Sequence, residues 1–402
     1  MTTLSVVIPA YNEEKCIMPI MNRVLAMREE LGKVYVDDIE LLVIDDGSRD
    51  NTAIIAREVA ACNENVWIIS HPSNRGYGAA LKTGFSKARG DLVGFLDADG
   101  TYPPEYFPKL CEASLNGYDL VIGSRMAGAD TEMPFVRKVG NKFFAFMINL
   151  LGQTRITDSA SGMRVFRRGV LPRLYPLPDG LNLTPIMSTR AICEGIRMLE
   201  IPIPYAERIG ASKLSAVKDG SIYLQSITWT ILGYNPVRIL GLIGLAGITL
   251  AGVICLGLII ARLMGITSLP AWGVFAMYTA MVSAVAGISI FALGTTFNYL
   301  VSLFYKHPVR QGIFGKPLLD TPLERHFGWA GLSLLVLGFL IGTISFILGM
   351  QGWEISRLWL YLLGSALLTL VGVQLIIYWI LVQILDELSQ RDIATQHELT
   401  SV

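Results

Sequence analysis

Four long runs of apolar, uncharged residues in the second half of the chain limit its possible folds more than any other feature. The runs cover residues 239–261, 269–305, 328–353 and 358–385. Each is longer than the roughly 20 residues that an α-helix needs to cross a bilayer. The sequence therefore predicts four transmembrane helices. Because the runs hold no charged residue, they suggest no ion path through the membrane.

Basic residues between the runs predict how the helices are oriented. The connection between the second and third runs contains Lys306, Arg310, Lys316 and Arg325. The other two connections have only Arg262 and Arg357 at their edges. Since loops rich in Lys and Arg stay in the cytoplasm, this connection is predicted to be cytoplasmic. An even number of spans then predicts an integral, multi-pass membrane protein with both termini on the cytoplasmic side.

The first 235 residues carry most of the charge and have the pattern of an α/β domain. Short apolar segments at 4–9, 39–44, 66–70 and 92–96 alternate with segments of helical character. This alternation predicts a mostly parallel, doubly wound sheet with helices on both faces. The formal net charge of the chain is zero, so no electrostatic footprint for nucleic acid is present.

Acidic residues follow several of these predicted strands, at Glu13, Asp45, Asp46, Asp97 and Asp99. The carboxyl ends of parallel strands share one edge of a sheet, where open α/β sheets bind their ligands. Any one of these acids could merely cap a helix, and Asp97 and Asp99 could form an ordinary acidic turn. As a pair, however, they are hard oxygen ligands suited to Mg²⁺ or Mn²⁺ shared with a substrate diphosphate.

Five short motifs occur in a fixed order at residues 5–14, 45–52, 75–78, 97–100 and 161–164. Together they resemble the inverting glycosyltransferases of family 2, which have the GT-A fold. The most similar branch is the polyprenyl-phosphate glycosyltransferases, typified by dolichol-phosphate mannose synthase. The resemblance covers about residues 4–235, and the four apolar runs resemble the four-helix membrane part of some members.

This resemblance implies a domain organisation. An α/β GT-A domain with a Rossmann-like, mostly parallel sheet would occupy residues 1–211 on the cytoplasmic side. Juxtamembrane interface helices would follow at 212–235, and an all-α transmembrane domain of four helices at 236–385. Residues 386–402 would form a cytoplasmic tail.

The resemblance also implies roles for individual residues. The nucleotide-sugar would be bound by Pro9, Tyr11, Glu13, Asp46, Asp97, Ala98, Arg125, Arg208 and Lys213. The metal, Mg²⁺ or Mn²⁺, would be held by Asp97 and Asp99. The acceptor phosphate would be bound by Arg137, Ser161 and Arg164. The catalytic residues would be Asp158, Asp99 and Arg164.

The role of Asp158 stays open between two alternatives. It could act as a base, or it could orient Arg164 or the metal ligands. A phosphate monoester has its second pKa near ~6 and is largely a dianion at neutral pH, so it needs little deprotonation. A carboxylate beside it would also repel it unless a cation intervened. In either role, Asp158 is expected to be essential.

Residues 136–152 have basic residues at the start and apolar residues at helical spacing. Such a helix could lie in the membrane interface or pack as a core helix under the sheet. The resemblance favours the interface, because the acceptor-side helix of the family occupies this place.

The activity that the resemblance implies is inverting transfer of a single sugar to a polyprenyl or dolichyl phosphate. The donor would be of the GDP-mannose or UDP-glucose type, and the reaction would take place at the cytoplasmic membrane face. One alternative is a processive polysaccharide synthase, but Thr228 stands where that class has the arginine of its Gln-x-x-Arg-Trp motif. Another is a non-catalytic lipid-sugar flippase or binding protein. Homo-oligomerisation is not decided by the sequence.

Overall fold

A computed structural model of the chain describes residues 2–128, 133–149, 155–206, 216–266, 270–305 and 323–400. Within these ranges the chain forms two compact units, Met1–Ile231 and Leu232–Val402. The first unit contains an α/β sheet, and the second contains the long apolar helices.

The described part of the first unit is built on a seven-stranded sheet. Its strands are β1 (Thr3–Ala10), β2 (Asp38–Asp45), β3 (Val66–Ser70), β4 (Leu92–Phe95), β5 (Leu120–Ser124), β6 (Arg164–Arg167) and β7 (Met198–Pro202). Their order in the sheet is β3-β2-β1-β4-β6-β5-β7. Every neighbouring pair is parallel except that β6 runs antiparallel to β4 and β5. The prediction of a mostly parallel sheet is confirmed.

Nine α-helices accompany the sheet in the described residues up to Tyr234, and helices pack on both of its faces. They are α1 (Ile17–Leu25), α2 (Arg28–Gly32), α3 (Thr52–Ala61), α4 (Tyr77–Lys87), α5 (Phe107–Leu115), α6 (Phe135–Asn149), α7 (Leu171–Leu174), α8 (Leu183–Cys193) and α9 (Ala216–Tyr234). On one face, Val6 and Ile8 of β1 share an apolar core with α1, α3 and α5. Val7 points to the other face, where a Cβ on Gly84 of α4 would lie 2.2 Å from its Cγ1. Alternate residues of a buried strand thus serve two helical layers.

The carboxyl ends of β1, β2 and β4 meet at one edge of the sheet. In the parallel register Ala10 lies beside Asp45, and Val7 beside Phe95, so the loops after these strands are neighbours. Asn12 connects two of these loops. Its backbone has a φ of 52°, in the left-handed region, its N–H donates to Ser48 Oγ, and its Oδ1 accepts from the backbone N–H of Arg49. Asn is among the few residue types that tolerate this conformation.

The second unit contains helices α10 (Pro236–Leu263), α11 (Ala271–Tyr305), α12 (Phe327–Met350) and α13 (Ile355–Thr400). Within the described ranges, four stretches of them are long and apolar enough to cross a membrane, at Pro236–Leu263, Ala271–Val301, Phe327–Met350 and Arg357–Leu388. The predicted fold class, a GT-A-like sheet domain followed by four apolar helices, is confirmed.

Glycines bring the apolar helices together in two pairs. A Cβ on Gly287 of α11 would lie 2.8 Å from the carbonyl oxygen of Gly244 in α10. A Cβ on Gly331 of α12 would lie 2.9 Å from the carbonyl oxygen of Gly372 in α13. Such close backbone approach is typical of helix packing in membranes, where small residues replace hydrophobic burial as the source of contact.

Candidate active site

A cavity of about 640 Å³ opens at the carboxyl edge of the sheet. Nine of the residues predicted for the site line it: Pro9, Tyr11, Glu13, Asp46, Asp97, Ala98, Asp99, Arg125 and Arg137. They come from the end of β1, from the loops after β1, β2, β4 and β5, and from α6, so the fold brings together side chains that are far apart in sequence. Asp158, Ser161 and Arg164 do not line this cavity. Arg208 and Lys213 lie outside the described residues.

Two kinds of side chain line the cavity. The first kind is the carboxylates that follow β1, β2 and β4. The second kind is apolar side chains from α6, α9 and the segments before α6 and α8, namely Met133, Val136, Phe144, Leu181 and Tyr223. The rings of Phe144 and Tyr223 pack with their centroids 5.7 Å apart, joining α6 to α9. One ligand in this space would contact both charged groups and apolar surface.

Asp97 is held by residues on two sides. Its Oδ1 accepts a hydrogen bond of 2.8 Å from the Tyr77 hydroxyl. Gly162 lies against the carboxylate, since a Cβ there would be 2.5 Å from Asp97 Oδ2. Burial, followed by the charge of Asp97, raises the pKa of Tyr77 well above its ordinary value. The phenol therefore keeps its proton and remains a donor to the carboxylate at neutral pH.

Asp99 is buried at the cavity wall, two residues further along. Its Oδ1 accepts hydrogen bonds from the backbone N–H and the hydroxyl of Thr101, at 3.2 and 2.6 Å. Within the part of the chain that the structure describes, no three His, Cys, Asp or Glu side chains are grouped to hold a metal ion. Two carboxylates fit a hard cation such as Mg²⁺ only if a substrate's phosphate oxygens and water complete its coordination. The donor set fits a shared ion and does not fit a metal site formed by protein alone.

Asp46 supports the loop that leads into α4. Its Oδ1 accepts from the backbone N–H of Arg75 at 2.9 Å and lies 2.7 Å from His71 Nδ1. Its Oδ2 accepts from the backbone N–H of Gly76 at 2.8 Å. Gly76 has a φ of 102°, and a Cβ there would lie 2.6 Å from the carbonyl oxygen of Asp179. Asp46 thus shapes the cavity wall as well as contributing to it.

Arg125 and Asp158 form a buried ion pair beside the cavity. Arg125 Nε and Nη2 donate to the two carboxylate oxygens of Asp158, each at 2.8 Å. The backbone N–H of Arg125 and the Asn141 side chain add hydrogen bonds of 2.9 and 2.8 Å. Burial opposes ionisation of Asp158, but the charge of Arg125 and these hydrogen bonds outweigh it and lower its pKa. Asp158 is therefore a carboxylate at neutral pH, and Arg125 uses much of its hydrogen-bonding capacity on it.

Two tyrosines face the guanidinium of Arg125. Its Cζ lies 5.2 Å from the ring centroid of Tyr205 and 5.8 Å from that of Tyr102. The two rings contact each other edge to face, with centroids 5.5 Å apart. Cation–π contacts of this kind restrict a guanidinium further. Arg125 is thus presented to the cavity in one orientation by its ion pair and by two aromatic rings.

Arg164 and Ser161 are fully buried and do not line the cavity. Arg164 Nε and Nη2 donate to the backbone carbonyls of Ser161 and Ser159, at 3.1 and 2.8 Å, and its Nη1 has no partner. Burial lowers the pKa of Arg164 to about 10. The Ser161 hydroxyl donates to the carbonyl of Gly123 at 2.5 Å. Ser161 thus holds the segment between α6 and β6 to β5, and Arg164 of β6 holds the backbone of the same segment.

Several residues that contribute to the site are not among those predicted from the sequence. They are Tyr77, Tyr102, Asn141, Glu200 and Tyr205. Glu200 of β7 accepts hydrogen bonds of 2.8 Å from the backbone N–H groups of residues 157 and 158, so it fixes the loop that carries Asp158. Only Tyr77 and Tyr102, within or beside the motifs at 75–78 and 97–100, could have been singled out by position.

Two family models match the chain. The one described as Glycosyl transferase family 2 matches residues 5–174. The other, described as a domain of unknown function (DUF8752), matches residues 236–396. The chain is also similar to the undecaprenyl-phosphate 4-deoxy-4-formamido-L-arabinose transferase of Aeromonas hydrophila. The two are 30% identical over 307 residues, which are 75% of this chain and 89% of the relative.

The solved structures to which the chain is similar include two 3-phosphoglycerate-sugar synthases. Glucosyl-3-phosphoglycerate synthase from Mycobacterium tuberculosis, in complex with Mn²⁺, UDP and glucosyl-3-phosphoglycerate, is 22% identical, with a TM-score of 0.45 over 57% of this chain and 79% of that chain. Mannosyl-3-phosphoglycerate synthase from Rubrobacter xylanophilus is 20% identical, with a TM-score of 0.44 over 57% of this chain and 74% of that chain.

Proposed function

Because the chain belongs to glycosyltransferase family 2, we propose that it transfers one sugar from a nucleotide-sugar to a polyprenyl phosphate. The relative from Aeromonas hydrophila is named as an undecaprenyl-phosphate sugar transferase, which supports this acceptor. The observation that carries the proposal is one cavity lined both by carboxylates and by apolar side chains of α6, α9 and the segments before α6 and α8. We assign the carboxylates to a polar end that binds the nucleotide-sugar, and the apolar side chains to an apolar end that binds a lipid bearing a phosphate.

At the polar end, the donor would lie along the loops after β1, β2 and β4. Pro9, Tyr11, Glu13, Asp46 and Ala98 would contact the nucleoside, since all of them line the cavity. Asp97 and Asp99 would hold Mg²⁺ or Mn²⁺ together with the donor diphosphate. A divalent cation bound there would offset the negative charge that develops on the departing nucleoside diphosphate.

Arg125 would supply a second positive charge near the phosphates. Asp158, which accepts both guanidinium bonds, would act as the group that positions Arg125, rather than as a base. Its lowered pKa and its full set of donors make it a poor proton acceptor. The proposal thus adopts the orienting alternative for Asp158, with Arg125 as the residue that it orients in place of Arg164 or the metal ligands.

At the apolar end, Arg137 of α6 would bind the acceptor phosphate, because it is the arginine of α6 that lines the cavity. α6 also exposes large apolar side chains that do not line the cavity, among them Phe135 at 79%, Phe146 at 62% and Val139 at 50%. α9 exposes Trp229 at 67%. Apolar side chains beside basic ones suit the interface of a bilayer, so we assign α6 and α9 to the membrane surface. Ser161 and Arg164, being buried, would hold the acceptor loop instead of touching the phosphate.

The reaction would be a single displacement. An oxygen of the lipid phosphate attacks the anomeric carbon as the bond from that carbon to the nucleoside diphosphate breaks, which inverts the carbon. The phosphate is largely a dianion at neutral pH, so no protein base is needed. Arg137 would align the nucleophile, and Arg125 would stabilise the leaving group.

The proposed chain organisation has four parts and places both termini on one side of the membrane. The GT-A domain would cover 1–211, the interface helices 212–235, the membrane domain 236–385 and the tail 386–402, with both termini cytoplasmic. Arg208 and Lys213 would close over the donor diphosphate. Basic residues between the second and third apolar runs support this orientation.

Sugar transfer into lipid tests the proposal directly. Membranes that contain the full chain are incubated with radiolabelled UDP- and GDP-sugars and Mg²⁺ or Mn²⁺, and label is measured in extractable, mild-acid-labile lipid. Asp99→Asn removes a proposed ligand. Asp119→Asn is the matched control, because Asp119 precedes β5 at the opposite edge of the sheet and pairs there with Arg197.

The expected result is labelled lipid from one nucleotide class, lost with EDTA and in Asp99→Asn but kept in Asp119→Asn. Label in an insoluble polymer would instead indicate a processive synthase. Absence of transfer from every donor, with the protein folded and binding polyprenyl phosphate, would overturn the enzymatic proposal in favour of a lipid-binding protein.

A further inference from the structure

Resting on the proposed function, we infer that Tyr77 is a positioning residue for the metal and diphosphate site, because its hydroxyl holds the Asp97 carboxylate in one orientation. Tyr77 is the first residue of α4, and Asp97 lies in the loop after β4. The hydroxyl donates to Asp97 Oδ1 at 2.8 Å. Neither the acidic motif nor the family resemblance assigns this tyrosine a role.

The surroundings of Asp97 leave its carboxylate little freedom. On one side Gly162 lies so close that any side chain there would collide with both carboxylate oxygens, at 2.5 and 2.7 Å. The backbone N–H of Gly162 in turn donates to the Tyr102 hydroxyl at 2.7 Å, which fixes that wall. With Gly162 behind it and Tyr77 holding Oδ1, the carboxylate presents one defined orientation to the cavity that it lines.

The position of Tyr77 is fixed by backbone hydrogen bonds and close packing at the start of α4. The loop before it is held by Asp46, which accepts from the backbone N–H groups of Arg75 and Gly76. The next residue, Gly78, packs on the segment 178–180 so closely that a Cβ would lie 2.2 Å from the carbonyl oxygen of Pro178. The start of α4 is therefore anchored on two sides, and this fixed helix end positions the phenol hydroxyl at Asp97.

A hydrogen-bond donor behind a metal-binding carboxylate controls the orientation of the carboxylate and the distribution of its charge. Loss of such an outer partner typically weakens metal affinity by about 10–100-fold. Tyr77→Phe keeps the ring and its packing and removes only the hydroxyl. We expect the change to weaken divalent-cation binding by that factor and to raise the metal concentration that half-maximal activity requires. Affinity for nucleotide without metal should stay nearly the same.

The test measures cation binding on the purified full chain in detergent. Mn²⁺ is titrated in the presence of UDP and, separately, GDP, and free Mn²⁺ is followed by electron paramagnetic resonance. Tyr118→Phe is the matched control, because Tyr118 is a surface residue before β5 at the other edge of the sheet. Thermal unfolding of each variant without metal reports whether the fold is retained.

The expected result is Mn²⁺ binding about 10–100-fold weaker in Tyr77→Phe and unchanged in Tyr118→Phe, at similar unfolding temperatures. Equal Mn²⁺ affinity of Tyr77→Phe and the unmodified chain would overturn the role of Tyr77 while leaving the proposed function standing. Absence of Mn²⁺ binding by the unmodified chain with either nucleotide would overturn the proposed metal site, and the inference with it. The two failures are therefore distinguishable.

Discussion

Replacing Asp158 with asparagine should both destabilise the α/β unit and abolish most of the sugar transfer. The change keeps the shape of the side chain but removes the charge that faces Arg125. It also turns one acceptor oxygen into a donor amide opposite existing donors. Asp158 is 0% exposed and receives three hydrogen bonds from Arg125 and one from Asn141.

The expected loss of stability follows from the charge of Arg125, which the variant leaves buried without its partner. Breaking a buried ion pair by removing one partner costs about 3–5 kcal/mol, because the other charge stays buried without compensation. If a misplaced Arg125 stabilises the transition state by about 3 kcal/mol less, kcat/KM falls by more than about a hundredfold. The affinity for nucleoside diphosphate should fall as well, since Arg125 is proposed to contact the phosphates in the ground state too.

A double-mutant cycle separates positioning from base catalysis. We expect Arg125→Met combined with Asp158→Asn to be much less destabilising than the sum of the two single changes, because neither partner is then left unpaired. The measurements are thermal unfolding, nucleotide affinity and the kinetics of transfer for all four proteins. If Asp158→Asn abolished transfer with unchanged unfolding temperature and unchanged nucleotide affinity, the positioning account would be wrong and a base would be indicated.

The same pair predicts a dependence of stability on pH. The folded-state pKa of Asp158 lies below its ordinary value of 3.8. Its charge therefore contributes its full stabilisation above about pH 4, and the contribution is lost as the pH falls through the folded-state pKa. The difference in unfolding temperature between the unmodified chain and Asp158→Asn should shrink below about pH 4. A difference that stayed constant down to pH 2 would contradict the assignment.

Three further predictions test other parts of the account. Phe146→Glu on α6 should raise the KM for the lipid acceptor about tenfold or more, since an exposed aromatic ring contributes about 2 kcal/mol when it is buried in a bilayer. Ile54→Glu, at an exposed position of α3, should leave this KM unchanged. Equal KM values of the two variants in liposome assays would argue against the interface assignment. Gly287→Leu should disrupt the unit of α10 to α13, because α10 backbone atoms lie within 3 Å of the new Cβ. A Cβ on Gly252 meets nothing within 4 Å, so Gly252→Leu should be tolerated. Equal unfolding temperatures of the two variants would refute this packing. Glu200→Ala should lower activity more than Glu200→Gln, because the loop between α6 and β6 loses about 1 kcal/mol of stabilisation for each hydrogen bond removed. Equal kinetics of the two variants would refute the role of Glu200 in holding this loop.

Much of the fold could be predicted from local sequence patterns. The apolar runs indicated the four long apolar helices, because length and composition alone decide whether a helix can span a bilayer. The alternation of strands and helices indicated a mostly parallel sheet. The antiparallel direction of β6 could not be predicted in the same way, because strand direction depends on the path of the whole chain and leaves no mark on four residues.

The candidate site was only partly predictable, for a related reason. Strand ends identify the cavity residues Asp46, Asp97 and Asp99, because parallel strands must bring their carboxyl ends together. Burial cannot be read from a motif, so Arg164 was predicted to bind phosphate although its guanidinium is bonded to backbone carbonyls inside the fold. The bond from Tyr77 to Asp97 joins neighbouring structural elements, and nothing in either motif indicates that they meet.

The most direct test of the central claim is the mass and stereochemistry of the lipid product. The purified full chain is incubated with one synthetic polyprenyl phosphate and the nucleotide-sugar that supports transfer, and the product is analysed by mass spectrometry and NMR. The account predicts one sugar per lipid phosphate, joined through the phosphate oxygen, with the anomeric configuration opposite to that of the donor. A lipid carrying several sugars, retention of configuration, or unmodified polyprenyl phosphate with consumed donor would contradict it.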